Sequence, residues 1–306
     1  MYQKNIVILG GGSKICNLFL NKIDSSKYKI IIFNRDNKKK NLNANNNFFL
    51  DLNNKTFATE IAKANFVFNF VGESTNEKKM FNANILFSKI LTENIKKINK
   101  TCKVAYISSV AIYYDFIKNR KNKIYINEKT SASPFSKYPR TKYLAEKYYL
   151  NSFGNRMYVL RPAQILGDAK LNTSINKIIY YLKFKVFFYV GNKNSIWTYI
   201  PVNDLLNCLN IFLKKNNFPK TINLVENIPI FLLINSIKKK YKVKTISITI
   251  PIFLAKFFLK LNTLFFRERI PFNKKVFLAL TANLIFDNSL LKQILKKKNF
   301  FTNELL

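Results

Sequence analysis

The chain has 306 residues, 48% of them hydrophobic and 29 of them Phe, so it can bury a substantial core and disorder is not its default state. It has no His, and Cys16, Cys102 and Cys208 form no CxxC; this excludes Ser-His-Asp and Cys-His nucleophiles and leaves no metal or disulfide framework, so a proton-transfer group must be Tyr, Lys, Asp, Glu or Cys. A net charge of +36 would suit nucleic acid or an anionic membrane, but 45 of the 52 cations are Lys spread along the chain and only 7 are Arg; a solvated basic surface with no nucleic-acid partner is expected.

The N-terminus runs straight into a strand pattern, with no signal peptide, and no uncharged run reaches transmembrane length, so a reducing, cytoplasmic setting is expected. Residues 5–9 (NIVIL) read as a buried strand, followed by GGGS and by helical spacing over 14–24. Residues 29–33, 48–50, 65–71 and 104–108 read as further strands. An amphipathic helix occupies 79–98, another occupies 136–151, and a sixth strand lies at 157–160. Apolar strands alternating with helices predict an α/β fold, a Rossmann-type doubly wound parallel sheet. The pattern is expected to divide into 1–165, which carry the sheet, and a smaller, mostly helical portion, 166–306, packed with it as one unit. In that portion 173–187, 203–214 and 252–266 read as helices, and a strand at 221–225 joins the first domain's sheet.

The first strand, the Gly turn and the next helix suit a pyrophosphate at a helix N-terminus. Gly10 makes the tight turn, while the second and third glycine positions of such a fingerprint fall on Ser13 and Cys16. At the end of the second strand stands Asn34-Arg35 rather than an acid. A cation there suits a ribose 2′-phosphate, which favours NADP(H) over NAD(H). Asp51, ending the third strand, can accept from an adenine amino group.

A Tyr four residues before a Lys shares its helix face, and the ammonium is expected to lower the phenol toward working pH. The chain holds six such pairs, starting at Tyr114, Tyr125, Tyr138, Tyr143, Tyr181 and Tyr189, so spacing alone selects none. Position selects Tyr138 and Lys142, which open the helix after the fifth strand, at the end of the sheet where open α/β folds bind ligands. That strand ends in Ser108-Ser109, where a hydroxyl can bond the substrate oxygen beside the phenol.

With these residues in view, the chain resembles an extended short-chain dehydrogenase/reductase of the NAD(P)-dependent epimerase/dehydratase type. The resemblance rests on IVILGGGSKIC, FLDL (49–52), FNFVGE (68–73), NANILFSKIL (82–91), YISSVAIY (106–113), YPRTKYLAEKY (138–148), LRPAQILG (160–167) and YIPVNDLLNCL (199–209), in family order. It implies a catalytic trio of Ser109, Tyr138 and Lys142, with Lys142 also holding the nicotinamide ribose. It places Gly10, Gly12, Ser13, Lys14, Ile15, Asn34, Arg35, Asp51, Leu52, Phe70, Val71 and Asn84 around the cofactor, Asn84 from the long helix. VGNKNSIWTYIPVNDL, the helix at 252–266 and LTANLIFDNSLLKQIL (280–295) resemble the nucleotide-sugar branch of 4-epimerases and 4-keto-sugar reductases in polysaccharide precursor synthesis. The related 4,6-dehydratases place Thr-Asp-Glu where this chain has Ser109-Val110-Ala111, so water elimination lacks its acid and base. Ser13, Cys16 and Tyr114 depart from the family's glycines.

The expected activity is therefore oxidoreduction or epimerisation at C4 of a nucleotide-activated, first of all UDP-linked, sugar. The alternative is a catalytically degenerate dinucleotide-binding scaffold of the same fold, for which the lost glycines speak. A homodimer stays open as the assembly. The helix at 252–266 could lie on a membrane with Lys256 and Lys260 snorkelling, but a cap over the substrate pocket or a subunit contact is the preferred reading.

Overall fold

The computed structural model describes residues 4–35, 43–118, 123–132, 134–167, 173–183, 185–265 and 274–297. In chain order the elements begin β1 (Lys4–Leu9), α1 (Lys14–Leu20), β2 (Tyr28–Asn34), β3 (Asn46–Phe49), α2 (Lys55–Lys63), β4 (Phe66–Asn69), α3 (Glu77–Met80), a π-helical turn (Phe81–Leu86), α4 (Phe87–Ile98) and β5 (Lys103–Ile107). A 3₁₀ segment (Val110–Lys118), β6 (Ile124–Ile126), α5 (Lys137–Phe153), β7 (Met157–Pro162), β8 (Gln164–Leu166), α6 (Thr173–Leu182), β9 (Val186–Val190), β10 (Ile196–Pro201), α7 (Val202–Lys214) and β11 (Thr221–Leu224) follow. The chain continues through β12 (Glu226–Pro229), α8 (Ile230–Tyr241), β13 (Ile246–Ile250), α9 (Ile252–Phe265), α10 (Lys274–Leu280), β14 (Leu284–Phe286) and α11 (Ser289–Leu295). Contacts divide it into two units, the first made of 1–115, 128–162 and 203–224, the second of 116–127, 163–202 and 225–306.

The first unit carries a seven-stranded parallel sheet in the order β11-β7-β5-β4-β1-β2-β3. The strands read as continuous apolar runs because both faces are covered. Val7, Leu9, Ile31, Phe33, Val67, Val104 and Tyr106 alternate onto one face and pack with Phe57 and Ile61 of α2, Leu91 and Ile95 of α4 and Tyr149 of α5. On the other face Phe68 meets Phe19 of α1 at 5.3 Å between ring centroids and Phe212 of α7 at 5.4 Å. Strand order reverses between β1 and β4, which makes the carboxyl ends of these two strands the switch point of the sheet.

Local chemistry ends the elements. Ser13 caps α1, its hydroxyl oxygen accepting from the Cys16 N–H at 3.1 Å. Asn54 caps α2 in the same way through the Thr56 N–H. The expected helix over 14–24 stops earlier, at Leu20. That expected over 79–98 begins at Glu77 and contains the π turn. The helix expected over 173–187 stops at Leu182; Lys185 then takes a φ of 64° and Val186 opens a strand. The helix expected over 252–266 runs to Phe265, residue 266 lying outside the described residues.

The second unit holds three small sheets, β12-β10-β8, β13-β9 and β14-β6. Apart from β11, the strands beyond residue 163 were not anticipated. The main core of this unit joins Tyr199 of β10, Phe187 and Tyr189 of β9, Ile175 of α6 and Leu233, Ile234 and Ile237 of α8. Among the described residues no helix is long and apolar enough to cross a membrane.

One buried ion pair links α5 to the sheet. Arg161 of β7 donates from Nε to Glu146 at 3.0 Å, from Nη2 at 2.6 Å, and from Nη1 to the Tyr113 hydroxyl. Removing one partner strands the other charge in the core, which costs about 3–5 kcal/mol. Arg161→Met should therefore lose about that much in a denaturant titration. The double variant Arg161→Met/Glu146→Met should lose markedly less, and equal losses would show that the charge itself is not what destabilises the single variant.

Candidate active site

The turn after β1 is built against β4. Gly10 sits at φ +82°, where a side chain would be strained, and a Cβ there would lie 2.9 Å from the Val71 nitrogen. The Gly10 N–H donates to the Phe33 carbonyl of β2, and the Phe70 N–H donates to the Leu9 carbonyl of β1, so three strand ends are tied together here. A Cβ at Gly12 would meet nothing within 4 Å, which leaves room beside the turn. Gly12 and Lys14 are exposed, and Ser13 and Ile15 half-buried.

The two lost glycines are accommodated differently. At Ser13 the hydroxyl oxygen takes the Cys16 N–H as the helix cap. Cys16 is fully buried between α1 and the sheet, and burial pushes its thiol up to about 12, so it stays neutral. Phe70 packs in the same layer, stacked on Phe68 at 6.0 Å and tilted to Phe19 at 6.2 Å.

A cavity of about 570 Å³ opens beside this turn, lined among others by Arg35, Asp51, Leu52 and Val71. Four of the residues singled out from the sequence thus meet in one groove. Asn34 does not join them; it is buried, with its Oδ1 toward Gly11. Asp51 is exposed, and one carboxylate oxygen accepts the Asn53 N–H at 2.9 Å. The opposite wall comes from α3, the π turn and α4 through Lys79, Asn82, Ala83 and Phe87. Sequence reading took only Asn84 from this stretch; the NANILFSKIL segment that contains it was the available signal.

Asn84 is placed by the π turn, a geometry often found at functional sites. Its amide nitrogen donates to the Glu73 carbonyl at 2.9 Å and to Thr141 Oγ1 at 2.8 Å, and its oxygen accepts the Glu73 N–H at 2.8 Å. Thr141 in turn donates to the Tyr138 carbonyl at 2.9 Å. Asn84 therefore ties the loop after β4 to the first turn of α5. The Glu73 carboxylate caps the same loop through the N–H groups of Ser74, Thr75 and Asn76, which hold its pKa down to about 2.

Ser109, Tyr138 and Lys142 come together around the end of β5. The Ser109 side chain stands close enough to the Tyr138 phenol to oppose part of the rise that burial imposes on its pKa. Ser109 Oγ accepts the Ala111 N–H at 3.2 Å, which fixes the hydroxyl at the start of the 3₁₀ segment. Lys142, one helical turn beyond Tyr138, is buried; its Nζ donates to the Ile107 carbonyl at 2.9 Å and lies 4.7 Å from the centre of the Tyr106 ring. Burial lowers the Lys142 ammonium to about 8, partly opposed by Glu146. The expected lowering of the phenol is not seen. Burial raises the Tyr138 pKa, the nearby Ser109 opposes this only in part, and Lys142 turns its charge to the Ile107 carbonyl and the Tyr106 ring. The arrangement offers a neutral phenol, a fixed hydroxyl near it and a buried ammonium, next to a groove and a glycine turn.

Comparison with known proteins bears on the fold. A UDP-glucuronic acid 4-epimerase from Bacillus cereus, solved with NAD, is 15% identical, with 98% of this chain and 93% of that one covered and a TM-score of 0.68. A dTDP-4-dehydrorhamnose reductase from Bacillus anthracis str. Ames, solved with NADP, is 12% identical over 99% and 96%, with a TM-score of 0.65. A UDP-glucose 4-epimerase from Thermotoga maritima, solved with UDP-glucose, is 19% identical over 81% and 85%, with a TM-score of 0.62. At such identities the likeness is one of fold. No curated protein sequence matches the chain. The family model described as the NAD dependent epimerase/dehydratase family matches residues 6–224, from the first strand of the parallel sheet to the end of its last, and the chain belongs to that family.

Proposed function

We propose that this chain is a nicotinamide-dependent enzyme acting at C4 of a nucleotide-activated hexose, a UDP-sugar before others, as a 4-epimerase or a 4-keto-sugar reductase. The observation that carries this reading is the gathering of Ser109, Tyr138 and Lys142 at the end of β5, with Lys142 Nζ bonded to the Ile107 carbonyl. A scaffold without chemistry would not need these three groups gathered. Two solved proteins of the same fold are named as C4-acting enzymes on UDP-sugars, which favours that substrate class.

The residues present suit a dinucleotide. Gly10, Gly12, Ser13, Lys14 and Ile15 would take its pyrophosphate, and the open space beside Gly12 fits that task. Arg35, Asp51, Leu52 and Val71 would take the adenosine half, with Lys79 as a second cation on the same groove. Phe70, Asn84 and Lys142 would take the nicotinamide half. When bound, the dinucleotide supplies the hydride carrier.

In this reading Tyr138 Oη gives the C4 oxygen its proton or takes it, and Ser109 Oγ orients that oxygen. Lys142 places a positive charge beneath the site. Val110 and Ala111 stand where elimination chemistry would need carboxylates, which speaks against a dehydratase. Arg35 in the groove, with no acid at the end of β2, favours NADP(H) over NAD(H).

Three measurements test this. Tyr138→Phe should lower turnover of the UDP-sugar about 10²–10⁴-fold while calorimetric binding of the dinucleotide stays near wild type. Tyr143→Phe should change little, and a fully active Tyr138→Phe would refute the assignment. Arg35→Ala should weaken NADPH binding at least tenfold, from the loss of a charge-assisted bond of about 1.5–3 kcal/mol, and spare NADH; equal wild-type affinities for the two would refute the preference. Dinucleotide affinity should fall as pH rises through about 8, where Lys142 loses its proton. A ligand that binds the ammonium holds that proton on, so the sign is fixed, and Lys142→Met should bind weakly with no such slope.

A further inference from the structure

The helix α9 is turned inside out for a protein in water. Only Ala255 and Asn262 of its 14 residues are buried. Phe253 is 70% exposed, Phe265 is 73% exposed, and Phe257 and Phe258 stand more than half exposed between them. A surface helix ordinarily buries its apolar stripe. Here the small residue faces in, packing with Val190 and Phe277, and the phenylalanines face out.

The neighbouring sheet continues the exposed surface. In β9, Phe187 and Tyr189 face the core of the second unit, so by alternation Phe188 and Val190 face the other way. The parallel register sets Ile248 beside Phe188 and Ile250 beside Val190, on that same face. At one end Val190 and Ile250 lie under α9. At the other, Phe188 is 47% and Ile246 68% exposed. Helix and sheet thus present one apolar surface, larger than scattered exposed residues would explain.

We propose that this face is a docking surface for an anionic lipid membrane, with α9 lying in the plane of the interface. Charge selects the occupant. From residue 227 to 265 the chain has seven Lys and no Asp or Glu. Lys256 and Lys260 rise from α9 itself, and Lys242 and Lys244 stand exposed just before β13. A second copy on this face would bring lysines to lysines with no carboxylate in the segment to answer them, because an isologous contact pairs a patch with itself. Anionic headgroups supply the missing charge while the phenylalanines enter the acyl boundary and the lysine stems snorkel. At 14 residues α9 is shorter than the ~20 a span requires, so it lies on the bilayer. This inference goes beyond the proposed activity and does not rest on it.

The full chain should be co-sedimented with vesicles of phosphatidylcholine alone and of an equimolar mixture with phosphatidylglycerol. The wild type should partition to the mixed vesicles at least tenfold more strongly, each lysine near the surface adding up to roughly fivefold, and added salt should weaken it. Phe253→Ser/Phe257→Ser/Phe258→Ser should lose at least tenfold in partitioning, with circular dichroism and melting temperature unchanged because these rings are exposed. Lys256→Gln/Lys260→Gln, which leaves all packing in place, should also weaken binding and reduce its salt dependence. The proposal is overturned if the wild type ignores the mixed vesicles. It is equally overturned if either folded variant binds them like wild type, or if the wild type is a dimer in solution that the phenylalanine variant dissociates.

Discussion

A buried ammonium constrains more of the first unit than any other group. Lys142 has three N–H donors to satisfy, and the structure gives it the Ile107 carbonyl and the face of Tyr106. Each of these demands something of the chain. The carbonyl must come from the last residue of β5, so α5 has to start at the carboxyl edge of the sheet. The loop after β4 must leave room: a Cβ on Gly72 would lie 2.9 Å from Lys142 Nζ. The same loop must be held in place, and Asn84 does so with both backbone groups of Glu73 while bonding Thr141 on α5. The π turn follows from that need, since it sets Asn84 toward the loop within an otherwise regular helical run.

Much of the first unit was legible because strands buried on both faces leave an uninterrupted apolar signal. NIVIL, KIIIF and MYVL are such runs, and all three became strands of the parallel sheet. The π turn was not legible, since FNANIL carries no residue-type mark that separates it from α-helix. The second unit was read less well because its strands are short and several are only half covered. ISITI of β13 has four of its five residues exposed, and its pairing to β9 lies about 60 residues away in sequence. Ser109, Tyr138 and Lys142 are candidates selected by position along the sheet, which the strand reading supplied; the groove wall at Lys79, Asn82 and Phe87 needed the fold of the loop after β4, which it did not.

The glycine departures show how a weakened motif can keep its shape. Ser is among the best residues for a helix cap, and at 13 it satisfies an N–H that a Gly would leave open. Cys16 fits the α1–sheet contact as a small apolar group, its thiol kept neutral by burial. Gly10 is required because positive φ and the approach of the Val71 backbone coincide there, and a Cβ on Gly11 would collide with Ile32 Cγ2. The turn therefore keeps the glycine its backbone requires and replaces those whose absence local packing can absorb.

The opposite displacements of Tyr138 and Lys142 have a chemical consequence. Burial acts on both in the direction of the neutral form, raising the phenol and lowering the ammonium to about 8. Near neutral pH the pair therefore rests as a protonated phenol beside a charged lysine. In the proposed reaction that resting state is ready to donate: an oxyanion forming at the substrate would meet the Tyr138 O–H, with Ser109 close by and a cation one helical turn away. Proton abstraction from an alcohol asks more, because the phenolate must first form in a buried site while the Lys142 ammonium is bonded to the Ile107 carbonyl. If the proposed chemistry at C4 holds, the protein's own electrostatics favour its reductive, proton-giving half, and any group that draws the Lys142 ammonium away from that carbonyl toward the phenol would move the balance toward abstraction.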